Sequence, residues 1–277
     1  ILIIKSIGII PINRLYIISD ALFFIFYRIY RYRKNTVKNN LKNSYPDYSI
    51  NELKKIEHKF YRNFFDILTE NLLLLTISED ELKKRMRLVN PELFYNLYKL
   101  KKGVIVIGAH YNNWEWMALS LGLYAKQDIY SVYKPLNNRT FDALMLNARS
   151  RFGAHIVPMS NFSKTVLNNS PSINLMLADQ SPHKDQVNFY CSFLNQDTPV
   201  YLGPEKLVKA GNMKLFFIDV QRKKRGFYEM ELIPLNDVKF KDKGDATRKH
   251  VSYLNKIINK NPENWLWTHR RWKHSRD

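Results

Sequence analysis

The run Val104-Ile105-Val106-Ile107, bracketed by Gly103 and Gly108, constrains this chain more than any other stretch. Four consecutive β-branched apolar residues leave no polar face for water, so they read as a short strand buried on both sides. Strands of that kind belong to parallel sheets covered by helices. Gly108-Ala109 lets the backbone turn, and Asn112 or Asn113 is placed to cap a helix running through Trp116, Met117, Ala118 and Leu119. His110 then lies just past the carboxyl end of a strand, and Glu115 in the first turn of the next helix. In open α/β sheets that edge is where ligands bind.

The chemistry suits the placement. An imidazole can take a proton from a hydroxyl, and a nearby carboxylate can fix its tautomer and stabilise its cation. First-turn amides of the helix can meet a developing oxyanion. Of the seven histidines, only His110 has an acidic residue five positions later. A turn histidine beside a carboxylate is also an ordinary structural feature, and spacing alone leaves both readings standing.

The rest of the chain repeats the alternation. Ile129–Tyr133, Ala154–Val157 and Ile173–Leu177 read as further strands, the last running into Ala178-Asp179-Gln180. Arg139 to Phe152 reads as a helix closed by Gly153 in a left-handed cap, and Phe162 to Leu167 as a short one. Met213–Val220 and Phe227–Ile233 make a hairpin with its turn in Arg222-Lys223-Lys224-Arg225-Gly226, and a last helix carries Val251, Leu254, Ile257 and Ile258 on one face. Upstream, Ile50 to Tyr98 is helical in pattern: Leu53, Ile56, Phe60, Phe64, Ile67 and Leu68 recur at threes and fours. That stripe fits a core or a wall for a fatty chain. The fold class is α/β, a mixed, mainly parallel sheet flanked by helices.

Residues 1–34 stand apart. They are apolar and aromatic, broken by Lys5, Arg14, Asp20 and Arg28, and no uncharged run approaches the roughly 20 residues of a spanning helix. Arg28, Arg31, Arg33, Lys34 and Lys38 follow at once. An apolar helix with a basic end reads as an interfacial anchor on an anionic leaflet; a core-packed helix is the alternative. The expected organisation is therefore a membrane-associating helix over 1–34, a helical part over 35–100 and a sheet-containing part over 101–277.

Net charge is +19, which asks for an anionic partner. Nucleic acid is one class that answers. The cations are spread along the chain and no nucleic-acid motif is present, so an anionic membrane or a phosphorylated substrate is favoured. Cys191 is the single cysteine, so no intramolecular disulfide forms and no cysteine cluster can hold a metal.

At Ala109-His110-Tyr111-Asn112-Asn113-Trp114-Glu115 the chain resembles the His-four-spacer-acid box of the lysophospholipid acyltransferase superfamily, in the branch of the lipid A lauroyl and myristoyl transferases. Three further stretches agree in order: Val132-Tyr133-Lys134-Pro135-Leu136 with Arg149 and Gly153 after it, Leu177-Ala178-Asp179-Gln180, and Asn264-Trp265-Leu266-Trp267-Thr268-His269-Arg270-Arg271-Trp272-Lys273. Lys134 stands where the family more often has Arg. The resemblance implies acyl transfer from acyl carrier protein, or acyl-CoA, to a hydroxyl of a membrane lipid on the cytoplasmic face of a bacterial inner membrane. A lipid A precursor is the default acceptor and an ornithine or glycine lipid the alternative. His110 would be the base and Glu115 its partner, with Asn113, Arg149, Asp179, Gln180, Arg270 and Arg271 as substrate contacts. Arg270 and Arg271 could equally be structural, and Asp179 could instead orient His110 or be structural. No metal or cofactor is required, because a thioester donor is already activated. A membrane scaffold with a dead site is the remaining rival, which an acyl-transfer assay separates.

Overall fold

The structure, a computed structural model, describes residues 10–235, 240 and 242–274. At its centre is a seven-stranded sheet. Its strands are β1 (Met86–Leu88), β2 (Val104–Gly108), β3 (Ile129–Tyr133), β4 (Ala154–Pro158), β5 (Ile173–Leu177), β8 (Lys214–Lys224) and β9 (Phe227–Pro234), in the order β1-β9-β8-β2-β5-β3-β4. Only the β8–β9 pair is antiparallel, so the sheet is mixed and mainly parallel. Between β5 and β8, β6 (Tyr190–Phe193) and β7 (Gln196–Pro199) form a separate small hairpin.

The opening run is the middle of this sheet. β2 pairs with β8 on one side and β5 on the other, and all five of its residues are buried. Its side chains alternate between two cores: Ile105 and Ile107 join one cluster, Val104 and Val106 the other. Fully burying such a side chain is worth about 1.5–3 kcal/mol over leaving it exposed, which is why no polar residue stands in this run.

The helices are α1 (Ile12–Phe23), α2 (Lys34–Ser44), α3 (Ile50–Glu70), α4 (Glu79–Arg85), α5 (Glu92–Lys99), α6 (Trp114–Leu121), α7 (Arg139–Ser150), α8 (Met159–Asn168), α9 (Gly203–Ala210) and α10 (Asp245–Lys260). α3 starts at a complete capping box: the Ser49 hydroxyl accepts from the Glu52 N–H, and the Glu52 carboxylate accepts from the Ser49 N–H. Its Ile56, Phe60 and Ile67 are buried while Lys54, Lys55 and Lys59 face solvent; Leu68, which belongs to the same apolar spacing, is exposed. Gly153 has φ +88° just after α7, the left-handed residue its sequence position asks for.

The N-terminal helix meets its neighbours on one side only. Leu15, Tyr16 and Ser19 are buried, and α1 packs along α3. The chain continues from α1 in wider π-helical turns through Phe24–Ile29. Ile17, Ile18, Phe24, Ile29 and Tyr30 remain exposed. No described helix is long and apolar enough to cross a membrane, and residues 1–9 of the anchor expected over 1–34 lie outside the described residues. Val37, Leu41 and Phe60 of the helical part share one buried cluster with Ile105 and Ile107 of the sheet.

Candidate active site

Register decides which side chains meet. Gly108 at the end of β2 lies opposite Leu177 at the end of β5, so His110 and Asp179, each two residues further on, emerge side by side at the carboxyl edge. The His110 Nδ1 is 2.8 Å from the Asp179 Oδ1. The other carboxylate oxygen accepts from the Trp265 indole N–H at 2.9 Å. Asp179 is buried and His110 reaches solvent with a fifth of its side chain (19%), so the pair has a closed end and an open end. Nδ1 is engaged, and among the described residues no hydrogen bond takes Nε2. Burial pushes the Asp179 carboxyl up, but the charge of His110 and hydrogen bonds from His110 and Trp265 outweigh it and hold it down at about 2. The carboxylate therefore stays ionised and fixes the proton of the imidazole on Nδ1.

The loop carrying His110 is held from the far end of the chain. Tyr111 bridges Trp265, the Leu266 N–H donates to the His110 carbonyl at 3.0 Å, and the Asn112 N–H donates to the Asn264 carbonyl at 2.8 Å. Asn112 adopts φ +54°, a conformation asparagine tolerates better than most residues, and its side chain donates to the Val220 carbonyl. His269 closes the same corner. Burial pushes its imidazole down to about 4, so at neutral pH Nε2 keeps its lone pair and accepts from the Ser181 N–H at 3.1 Å, two residues past Asp179.

Glu115 goes elsewhere. The sequence pairs it with His110, whereas in the structure its carboxylate is gripped by Arg149 of α7 through Nε at 2.8 Å and Nη2 at 2.6 Å. That fork-to-fork pair ties α6 to α7, and Asp179 takes the place beside the imidazole. The four-residue spacing carries His110 and Glu115 onto a turn and a helix that diverge, and sequence spacing contains no term for the register between β2 and β5.

The other expected contacts divide. Asn113 is fully buried: its carbonyl oxygen caps α6 by accepting from the Trp116 N–H, and its amide donates to Glu70 at 2.7 Å. Gln180 is half-buried on the loop behind Asp179. Arg270 is exposed, while Arg271 is 1% exposed and donates through Nη2 to the Pro199 carbonyl at 2.7 Å. Neither Nε nor Nη1 of Arg271 has a partner among the described residues, and burial pushes this guanidinium down to about 10 against the pull of Asp179. The two neighbouring arginines thus point into different surroundings. Among the described residues, no group of three or more His, Cys, Asp or Glu is gathered to hold a metal ion.

Glu70 is the residue that pattern reading misses. It is fully buried at the end of α3 and accepts from Tyr16, Tyr228 and Asn113, at 2.8, 2.7 and 2.7 Å. Burial raises its pKa against these donors. Through Asn113 it braces the cap of α6. The available signal was a lone acid inside the apolar stretch Ile67-Leu68-Thr69-Glu70-Asn71-Leu72.

The family model described as bacterial lipid A biosynthesis acyltransferase matches residues 1–274. The chain is 22% identical over 248 residues to the lipid A biosynthesis palmitoleoyltransferase of Escherichia coli (strain K12), covering 87% of this chain and 79% of that protein. It is similar to the same extent, 22% over 248 residues with the same 87% and 79% coverage, to the lipid A biosynthesis acyltransferase of Shigella flexneri.

Proposed function

From the premise that the chain belongs to the bacterial lipid A biosynthesis acyltransferase family, and is an acyltransferase, we propose that His110 and Asp179 form its base-and-orienter pair. The observation that carries this is the 2.8 Å contact that leaves Nε2 open at the carboxyl edge of the sheet. Nε2 takes the proton of the acceptor hydroxyl as its oxygen attacks the thioester carbonyl of the donor. The carbon–sulfur bond breaks, the sulfur leaves as thiolate, and the imidazolium returns the proton to it. Ester and free thiol are the products. Asp179 stabilises the imidazolium between the two proton transfers.

The oxyanion of that step is met by the amino end of α6. The Trp114, Trp116 and Met117 N–H groups are taken up in the turn and cap, and among the described residues no hydrogen bond takes the Glu115 N–H. The Glu115–Arg149 pair holds α6 at this angle. Two of the five N–H groups of Arg149 are used there, and among the described residues no hydrogen bond takes the others, which are left to contact a phosphate of the donor. Gln180 and Arg270 are the other substrate contacts in this reading.

The donor is acyl carrier protein, or acyl-CoA, and the acceptor a lipid A precursor presented by the cytoplasmic face of the inner membrane. The exposed Ile17, Ile18, Phe24 and Ile29, with Arg28 and Arg31 beside them, support α1 lying in that surface. Purified protein, a thioester donor and the acceptor in detergent test the reaction directly. His110→Ala should abolish transfer with circular dichroism unchanged, and near-normal turnover of that variant would refute the assignment.

A further inference from the structure

A second feature of the reactive edge is a cavity of about 210 Å³ between α3 and the tip of the β8–β9 hairpin. Its position follows from strand length. β8 pairs with Ile107 of β2 at Phe217 and then continues to Lys224, so the hairpin overhangs the edge from which His110 emerges. Four cations line the cavity, Lys59 and Arg62 from α3 and Arg222 and Arg225 from the hairpin, against Asp66 and Glu263.

The charges do not cancel. Asp66 is buried and takes both hairpin arginines at 2.6 Å, and Arg225 also reaches Asp20 of α1 at 2.7 Å. The two α3 cations are held loosely: Arg62 is 3.6 Å from Asp20, and Lys59 is 4.0 Å from Glu263, both beyond hydrogen-bond length. Four cations thus face three carboxylates even when Asp20 is included, and the two loosely held ones are more than half exposed, at 65% and 53%. Two guanidiniums on a shared carboxylate, with an exposed ammonium and a third guanidinium at the rim, make a receptor for a small, highly charged oxyanion.

Its neighbours say what carries that anion. On one side, Asn63 of the lining donates to the Asn264 side chain at 2.8 Å, and Asn264 holds the Asn112 N–H two residues from His110. On the other, the Ser19 hydroxyl donates to Asp66 and Arg62 lies over the Phe23 ring, while Ile17 and Phe24 face outward nearby on the same helix turns. The cavity is therefore set between a helix with an exposed apolar face and the loop that carries His110. We propose that it binds a phosphate monoester on the headgroup of the lipid acceptor, fixing the acceptor with its chains along α1 and its hydroxyl at His110. This rests on the acyl-acceptor reading above. A monoester brings up to two negative charges and three terminal oxygens, where a diester brings one charge and two.

The test is binding without donor, using the full chain and phosphatidylcholine vesicles that carry either phosphatidic acid or phosphatidylglycerol at matched surface charge. Wild type should prefer the monoester vesicles roughly tenfold, the worth of one good charge-assisted hydrogen bond. The double variant Lys59→Gln, Arg62→Gln should erase the preference and leave diester binding unchanged. Both substitutions fall on exposed side chains, and circular dichroism checks the fold. Equal binding of the two vesicles by wild type, or a preference that survives in the variant, overturns the proposal. Inorganic phosphate alone binding as tightly as the monoester vesicles would overturn the lipid source. In turnover, the variant should raise the KM for acceptor and not for donor, and phosphatase-treated acceptor should give wild type the variant's KM. An unchanged acceptor KM with His110→Ala still inactive sinks the cavity and spares the transfer reading. Monoester preference lost in the variant, with no transfer by wild type to any lipid hydroxyl, does the reverse.

Discussion

Arg270 and Arg271 show how far adjacent side chains can differ in what they do. Arg270 is exposed, so Arg270→Ala should move urea-unfolding stability by no more than about 0.5 kcal/mol. Arg271 is buried against the Pro199 carbonyl and the Phe193 ring, and its removal should cost on the order of 2–4 kcal/mol by opening a cavity and freeing a buried acceptor. If the two variants unfold at the same urea concentration, the difference in burial has no energetic meaning. The positions of His110 and Asp179 just past strand ends are both legible, because they follow from apolar runs. Their pairing stands in the sequence only as one of several readings of Asp179, since it depends on β2 lying beside β5, two strands that are separated by β3 and β4 in the chain.

At the scale of elements, the buried parallel strands announced themselves. β3 and β5 occupy the spans their β-branched and apolar runs define, and the hairpin runs longer than expected, with Lys224 paired to Phe227 across Arg225 and Gly226. The short β1 did not: Met86–Leu88 lies in a stretch whose Leu and Lys spacing reads as helix, and only pairing with β9 at the sheet edge makes it a strand. The β6–β7 hairpin, with Ser192, Gln196 and Asp197, has no apolar alternation to reveal it. The brace at Glu70 links three elements, α1, α6 and β9, to the end of α3. Glu70→Leu leaves two buried hydroxyls and an amide without their acceptor and should destabilise by roughly 3 kcal/mol or more, whereas Glu70→Gln, which keeps an acceptor oxygen, should cost less. Thermal unfolding of the two variants decides this, and equal midpoints would mean the network contributes nothing.

For the whole molecule, two properties follow from where charge and apolar surface lie. His250 is fully buried on α10, and burial pushes its imidazole down to about 4, against the Ala246 carbonyl and the Glu205 and Asp179 carboxylates. In the unfolded chain it titrates near 6.5, so between pH 6.5 and 4 the unfolded state binds the extra proton and stability falls with falling pH. His269 shifts in the same direction. For His250 the loss is about 2 kcal/mol by pH 5 and on the order of 3 below pH 4. Urea unfolding at pH 7 and pH 5 measures it, and His250→Leu should flatten the dependence; an equally steep slope in the variant places the acid sensitivity elsewhere. The second property is the outward face of α1. Ile17→Asp with Phe24→Asp should release the protein from anionic vesicles in high salt, where only apolar contact survives screening. Retention would put the membrane contact on another face.

If His110 and Asp179 act as one unit, their substitutions are not additive, and a double-mutant cycle on the rate of acyl transfer measures this. His110→Ala and Asp179→Asn are each expected to lower turnover by about 10²–10⁴-fold with the fold intact, and the double variant should be no slower than His110→Ala alone, because the carboxylate acts only through the imidazole. A double variant slowed by the product of the two single effects, or an Asp179→Asn enzyme with wild-type turnover, would contradict it.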